Sequence, residues 1–312
     1  MISGHLTAPG RDTSGRLIGT GKAFGTFGEL LQGSLGPEHN NFLVTFPIDC
    51  YSYATFIAEP DNTRVSVWPD FKWKAQTLAT AILKYYHLQP GGKLKIVSEL
   101  PVGKGLASSS ADLVATARAI ASCFHLSIPL ALLEQWMQQI EPSDGVMYPG
   151  IAAFYHQQVR LHTFFGNLPS LTIIGLDEGG SVDTIAFNHY PKPFTQEEVA
   201  EYKRLLEMTA MAVRQQDLAS LGYIATRSAQ LNQALNPKRT LKNLQEICQS
   251  ISGLGVIVAH SGTCLGLLLS PQYPAYREQL RQAYDQISDL ASTVLVYHSL
   301  CCVNTTLREH IS

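Results

Sequence analysis

A chain of 312 residues with 45% apolar composition can bury a large core and exceeds the size at which one core usually stops growing, so two domains are expected. Its formal net charge of −2, with 15% charged residues of mixed sign, creates no basic field that would draw it to nucleic acid or an anionic membrane, and a small-molecule partner fits better. No stretch offers the roughly eighteen consecutive apolar residues of a membrane span, and residues 1–23 lack the apolar core of a signal peptide, which predicts a cytoplasmic protein without membrane contact.

Residues 41–68 alternate β-favouring segments, at 42–46, 51–58 and 64–68, with turn residues such as Pro60, Asp61 and Asn62, which predicts a β-meander. Ala75, Leu78, Ala79, Ile82, Leu83 and Tyr86 then recur at helical spacing over 72–87, until Gly91 and Gly92 stop the helix. A strand at 93–99, a glycine-bearing loop at 101–105 and a helix at 108–124 follow. Ser127 and Pro129 open the next helix, whose Leu130, Leu133, Met137 and Ile140 share a face until Pro142 ends it.

Strands are expected at 151–165 and 171–176, and a Gly179-Gly180 turn with Pro191 and Pro193 marks a change of character. A domain boundary is placed near 165–170, dividing 1–168 from 169–312. The second half predicts helices at 196–216, 218–235, 241–250 and 272–290, with strands at 255–259, 265–269 and 293–297, an α+β arrangement. Cys50, Cys123, Cys248, Cys264, Cys301 and Cys302 show no C-x-x-C spacing, so they are read as reduced structural residues and no metal cluster is expected.

The segment Pro101-Val-Gly-Lys-Gly-Leu-Ala-Ser-Ser-Ser-Ala111 joins a strand to a helix N-terminus. Glycines there permit close backbone approach, several N–H groups converge, and the helix dipole adds positive potential, so phosphate is the natural guest. The local alternative is an ordinary N-capped helix after a tight turn. A Walker A loop is excluded, because Gly21-Lys22, Gly92-Lys93 and Gly103-Lys104 find Arg16, His87 and Ser98 at the first-glycine position and Ala23, Leu94 and Gly105 at the Ser/Thr position.

The segment resembles the central motif of the GHMP kinases, P-x-x-x-G-L-x-S-S-A, through Pro101, Gly105, Leu106, Ser108 and Ser109, with Ser110 where the family usually has alanine. Gly25-Thr-Phe-Gly-Glu-Leu-Leu-Gln-Gly33 resembles the first motif of that family, in the G-E-L-x-Q-G form of cobalamin-pathway L-threonine kinases. Ala259-His-Ser-Gly-Thr-Cys-Leu-Gly266 resembles the third motif, and the three occur in the family's order.

The resemblance implies the α+β two-domain GHMP fold, with an N-terminal domain like the second domain of ribosomal protein S5 and a ferredoxin-like C-terminal domain. It implies ATP and Mg²⁺ at the loop of Pro101, Gly103, Lys104, Gly105, Leu106, Ala107, Ser108, Ser109 and Ser110. By the same carry-over Ser109 and Glu141 hold the magnesium ion, with Glu134 the rival ligand, and Asp144 takes or orients the acceptor hydroxyl. The local alternative makes Ser143, Asp144 and Gly145 a turn. Glu29, Gln32, His260, Ser261, Gly262 and Thr263 would line the substrate site. The implied reaction is phosphorylation of the L-threonine side-chain hydroxyl. Homoserine or serine as acceptor, and a catalytically silent ATP- or metabolite-binding sensor, are the alternatives.

Overall fold

The computed structural model describes residues 10–11, 15–36, 40–180 and 194–300; Pro191, Pro193, Cys301 and Cys302 lie outside these described residues, as does most of the N-terminal stretch 1–14. After β1 (Gly10–Arg11), two strands of 18 residues each, β2 (Leu17–Ser34) and β3 (Asn41–Ala58), run antiparallel. The chain continues through β4 (Val65–Trp68), α1 (Trp73–Tyr85), β5 (Gly92–Ser98), α2 (Ser108–Phe124), α3 (Leu130–Gln138), β6 (Ile151–Tyr155) and β7 (Arg160–Gly166). Beyond it come β8 (Thr172–Asp177), α4 (Gln196–Gln215), α5 (Leu218–Asn232), α6 (Leu241–Ser250), β9 (Gly255–Val258), β10 (Cys264–Leu269), α7 (Tyr276–Ser288) and β11 (Leu295–His298).

One sheet runs β11-β8-β10-β9-β2-β3-β5-β4, and β2 joins its two parts by pairing Glu29 with Val258 of β9. The larger apolar core lies where α1, α2, α4 and α5 meet β2 and β3; a smaller one, with Ile174, Leu244, Val256, Leu267 and Ile287, lies between α6, α7 and β8–β10. The expected boundary at 168 falls in the connection between β7 and β8. Among the described residues no helix is long and apolar enough to cross a membrane. Cys50, Cys123, Cys248 and Cys264 are free and buried.

The structure departs from the sequence expectation in two places. The meander is not formed: β4 pairs parallel with β5, which separates it from β3, and α1 supplies the crossover that parallel neighbours need. The stretch 151–165 is a hairpin rather than one strand, turning at 156–159 with Val159 at φ 47° and no glycine, proline or asparagine to announce it. The first motif, for which no element is predicted from the sequence, is part of a strand. It lies in β2, whose pairing with β3 shifts register between Phe24 and Gly25 and again on both sides of Glu29, the irregularity that lets a strand re-aim its side chains.

Gly19 and Gly21 hold α2 close to β2. A Cβ on Gly21 would stand 2.3 Å from the Ala115 carbonyl oxygen, and one on Gly19 would stand 2.3 Å from that of Ala119. Gly21→Ala therefore tests the packing against propensity, since alanine suits a strand interior better than glycine. The expected outcome is a loss of about 1–3 kcal/mol in urea unfolding, because α2 must lift to admit the methyl group; unchanged stability would show that α2 yields freely.

Candidate active site

The chain enters α2 through Gly103 at φ 75°, Gly105 at φ 80° and Ala107 at φ 57°. Ala107 is the N-cap and offers no side-chain acceptor, and the helix ladder starts with the Ala111 N–H donating to the Ala107 carbonyl. The N–H groups of Ser108, Ser109 and Ser110 thus precede the ladder, at the end of the helix where the dipole favours an anion. This is not the side-chain-capped start that the local alternative requires.

The other two motifs close on this loop. The Thr26 N–H donates to the Leu106 carbonyl at 3.2 Å, and Gly28, at φ 59°, lies so near β9 that a Cβ there would stand only 2.3 Å from the Val258 carbonyl oxygen. A Cβ on Gly105 would meet Ala259 at 2.6 Å and Gly262 at 2.8 Å, while one on Gly262 would meet the Lys104 carbonyl oxygen at 2.0 Å. Asn236 donates to the His260 carbonyl at 2.8 Å, and the Lys238 ammonium, which burial pushes down to about 8, donates to the Gly262 carbonyl.

Neighbouring serines of the first α2 turn hold two carboxylates. The Ser109 hydroxyl donates to Glu141 Oε1, and Lys74 of α1 pairs with Glu141 Oε2. The Ser110 hydroxyl accepts the Asp144 N–H at 3.0 Å and lies 3.5 Å from Asp144 Oδ2. Glu134 sits elsewhere, with Oε1 accepting the Tyr148 hydroxyl and the Leu161 N–H at 2.9 Å each. Of the two rival carboxylates, Glu141 is the one in contact with Ser109.

A cleft open to solvent is lined by Glu29, Leu43, Gly105, Asp144, His156, His260 and Ser261, together with Pro142 and Ser143. Burial, reinforced by Asp144, pushes the Glu29 carboxyl well above its ordinary range. Burial with the nearby Glu141 charge raises Asp144 to about 6 against the opposing Ser110 hydrogen bond. Glu29 Oε2 is buried without a hydrogen-bond partner among the described residues. A cleft with two such carboxyls is suited to a cationic guest.

Other expected residues occupy different stations. Gln32 stands behind the cleft wall, with Oε1 at 2.5 Å from His260 Nδ1. Thr263 donates to Asp177, which also pairs with Lys104 at 2.6 Å, so both side chains meet the end of β8 instead of lining the cleft. Leu106 and Ala107 are buried, and Pro101 is exposed. Sequence reasoning missed Lys74, which belongs to no motif, and His156, whose ring stacks edge-on against His260 at 5.2 Å. The His156 carbonyl also accepts the Ser143 N–H at 3.0 Å, which ties the hairpin turn to the Asp144 loop.

The family model for the GHMP kinases N terminal domain matches residues 74–157. An L-threonine kinase of Citrobacter freundii is 29% identical over 248 residues, covering 78% of this chain and 83% of that protein. An L-threonine kinase of Salmonella typhimurium is 28% identical over 253 residues, covering 78% of this chain and 80% of that protein. The homoserine kinase structure from Cytophaga hutchinsonii shares the fold at a TM-score of 0.68 and 15% identity, covering 90% of this chain and 94% of its own. The matched segment carries the serine turn of α2 and the loop of both carboxylates, and the fold around it is shared across almost the whole chain: residues 74–157 match the GHMP kinase N-terminal domain, and the chain has the GHMP kinase fold.

Proposed function

We propose that the chain transfers the γ-phosphoryl group of ATP to the side-chain hydroxyl of free L-threonine, giving O-phospho-L-threonine and ADP, in a site between lobes 1–168 and 169–312. The observation that carries this reading is the first turn of α2, where consecutive Ser109 and Ser110 hold Glu141 and Asp144. One helical turn thereby sets a hydroxyl–carboxylate pair next to a second carboxylate that faces the cleft. Threonine as the acceptor is supported by the two L-threonine kinase relatives and by the cation-seeking Glu29, which suits an amino acid.

The backbone of 103–109 receives the ATP phosphates. Ser109 and Glu141 fit a magnesium ion, which takes hard oxygen ligands and keeps waters and phosphate oxygens for most of its shell. When bound, the ion supplies charge neutralisation on the phosphates. Asp144 orients the acceptor hydroxyl and takes its proton, Glu29 receives the ammonium, and His156 and His260 close the wall. Phosphoryl transfer asks mainly for such positioning.

Four experiments check the parts. ADP release measured with MgATP and a panel of hydroxy amino acids should show the highest kcat/KM for L-threonine, whereas a preference for homoserine would move the acceptor, and binding without turnover would make the chain a sensor. Gly105→Val should abolish ATP binding in calorimetry on folded protein, because its side chain would drive into Ala259 and Gly262; unchanged affinity places the phosphates elsewhere.

Ser109→Ala and Glu141→Gln should each raise the Mg²⁺ concentration for half-maximal rate by about tenfold or more, with Glu134→Gln near wild type. A large shift for Glu134→Gln alone would transfer the ligand role. Asp144→Asn, which keeps size and turn propensity, should lower kcat and kcat/KM together by about 10²–10⁴-fold at nearly constant ATP affinity. Wild-type turnover by that variant would reduce Asp144 to a turn residue.

A further inference from the structure

A second cavity lies beside the acceptor cleft and shares His260 with it; Gln32, Gly33, Asn41, Phe194, Asn232 and Leu235 line the rest. Asn232 ends α5, one turn beyond Ser228, whose hydroxyl accepts the Gln32 N–H at 3.1 Å. This face of α5 is therefore fastened to the first motif. Asn232 is 2% exposed, and neither of its amide atoms has a hydrogen-bond partner among the described residues. Gln32, also 2% exposed, uses Oε1 on His260 and leaves Nε2 without a partner.

Buried amides left unmet are costly, and two lining one cavity call for a polar guest. Whichever way the Asn232 amide is turned, its NH₂ is left without a partner among the described residues, as is the Gln32 NH₂. On the cleft side of His260 the unmet group has the opposite character, the Glu29 carboxyl oxygen. An acceptor on one side and N–H donors on the other match the two ends of a zwitterion. The ammonium belongs with Glu29, and the carboxylate belongs with the amides.

Resting on the reading that the acceptor is a hydroxy amino acid, we infer that Asn232 and Gln32 form a carboxylate subsite. Asn232 is then a specificity-determining residue that restricts the enzyme to acceptors with a free α-carboxylate. It acts on binding and takes no part in the transfer.

The experiment compares L-threonine with 1-amino-2-propanol, the same amino alcohol without the carboxylate, under MgATP. Asn232→Ala should raise KM for L-threonine by about tenfold or more, as expected for hydrogen bonds to a charged group, with kcat held and 1-amino-2-propanol unaffected. Asn232→Asp, which sets a negative charge against the carboxylate, should raise it further and improve 1-amino-2-propanol.

An Asn232→Ala protein with wild-type KM, or one that loses both acceptors equally, overturns the subsite while L-threonine turnover by the wild type keeps the acceptor reading intact. If the wild type turns over no hydroxy amino acid, the acceptor reading itself fails and the subsite falls with it. Calorimetry on the wild type needs no variant: 1-amino-2-propanol binding as tightly as L-threonine would show that no carboxylate is recognised.

Discussion

Backbone packed on backbone, at the point where Gly105 meets Gly262 beside the Ala259 methyl group, is the constraint from which the site follows. The space there admits no side chain, since a Cβ on either glycine would lie well inside contact distance of the opposite loop. The contact seats the start of α2 against the end of β9, and the Thr26–Leu106 hydrogen bond adds the first motif to the same junction. Gly19 and Gly21 extend this principle along β2, where the helix lies almost on the strand backbone. Residues far apart in the chain thereby acquire a fixed common frame, which is what positioning catalysis requires.

Within that frame the electrostatics are unbalanced. Glu29, Asp144 and Glu141 crowd one region, and burial works against the ionised forms of Glu29 and Asp144. Lys74 answers Glu141, and Lys72 with Ser52 answers Asp112 further along α2, at 2.5 Å and 2.6 Å. Glu29 has no such answer in its hydrogen bonds among the described residues. A protein that buries a carboxylate without a partner gives up stability there, and a cationic ligand recovers it. Glu134 differs in this respect: a tyrosine hydroxyl and a backbone N–H already satisfy it.

The sequence disclosed the elements whose signals are local. The helix at Ser108–Phe124 and the strands of the second half follow periodicity and glycine punctuation, and the three motifs carried the fold by resemblance. What remained hidden depended on long-range pairing. β2 is glycine-rich because α2 lies on it, so a strand propensity reading passes over it. The parallel partnership of β4 and β5 is settled by the α1 crossover and not by either strand's residues. Lys74 and His156 carry no motif; one stands in the first turn of a helix and the other in an unmarked turn, and only the fold brings them to Glu141 and His260. Thr263, by contrast, lies within a motif and yet turns to Asp177.

Ser110 shows how a departure from the family pattern gains a physical reason. The family motif usually places alanine at this position. Here Glu141 and Asp144 are three residues apart on one short segment. Successive residues on a helix point about 100° apart, so neighbouring serines can each meet a different carboxylate of that segment. An alanine at 110 would leave the Asp144 N–H without its hydroxyl acceptor, and the loop with one fewer tie to α2. The short segment and the extra serine are therefore two halves of one arrangement, in which the first turn of α2 ties down both carboxylates.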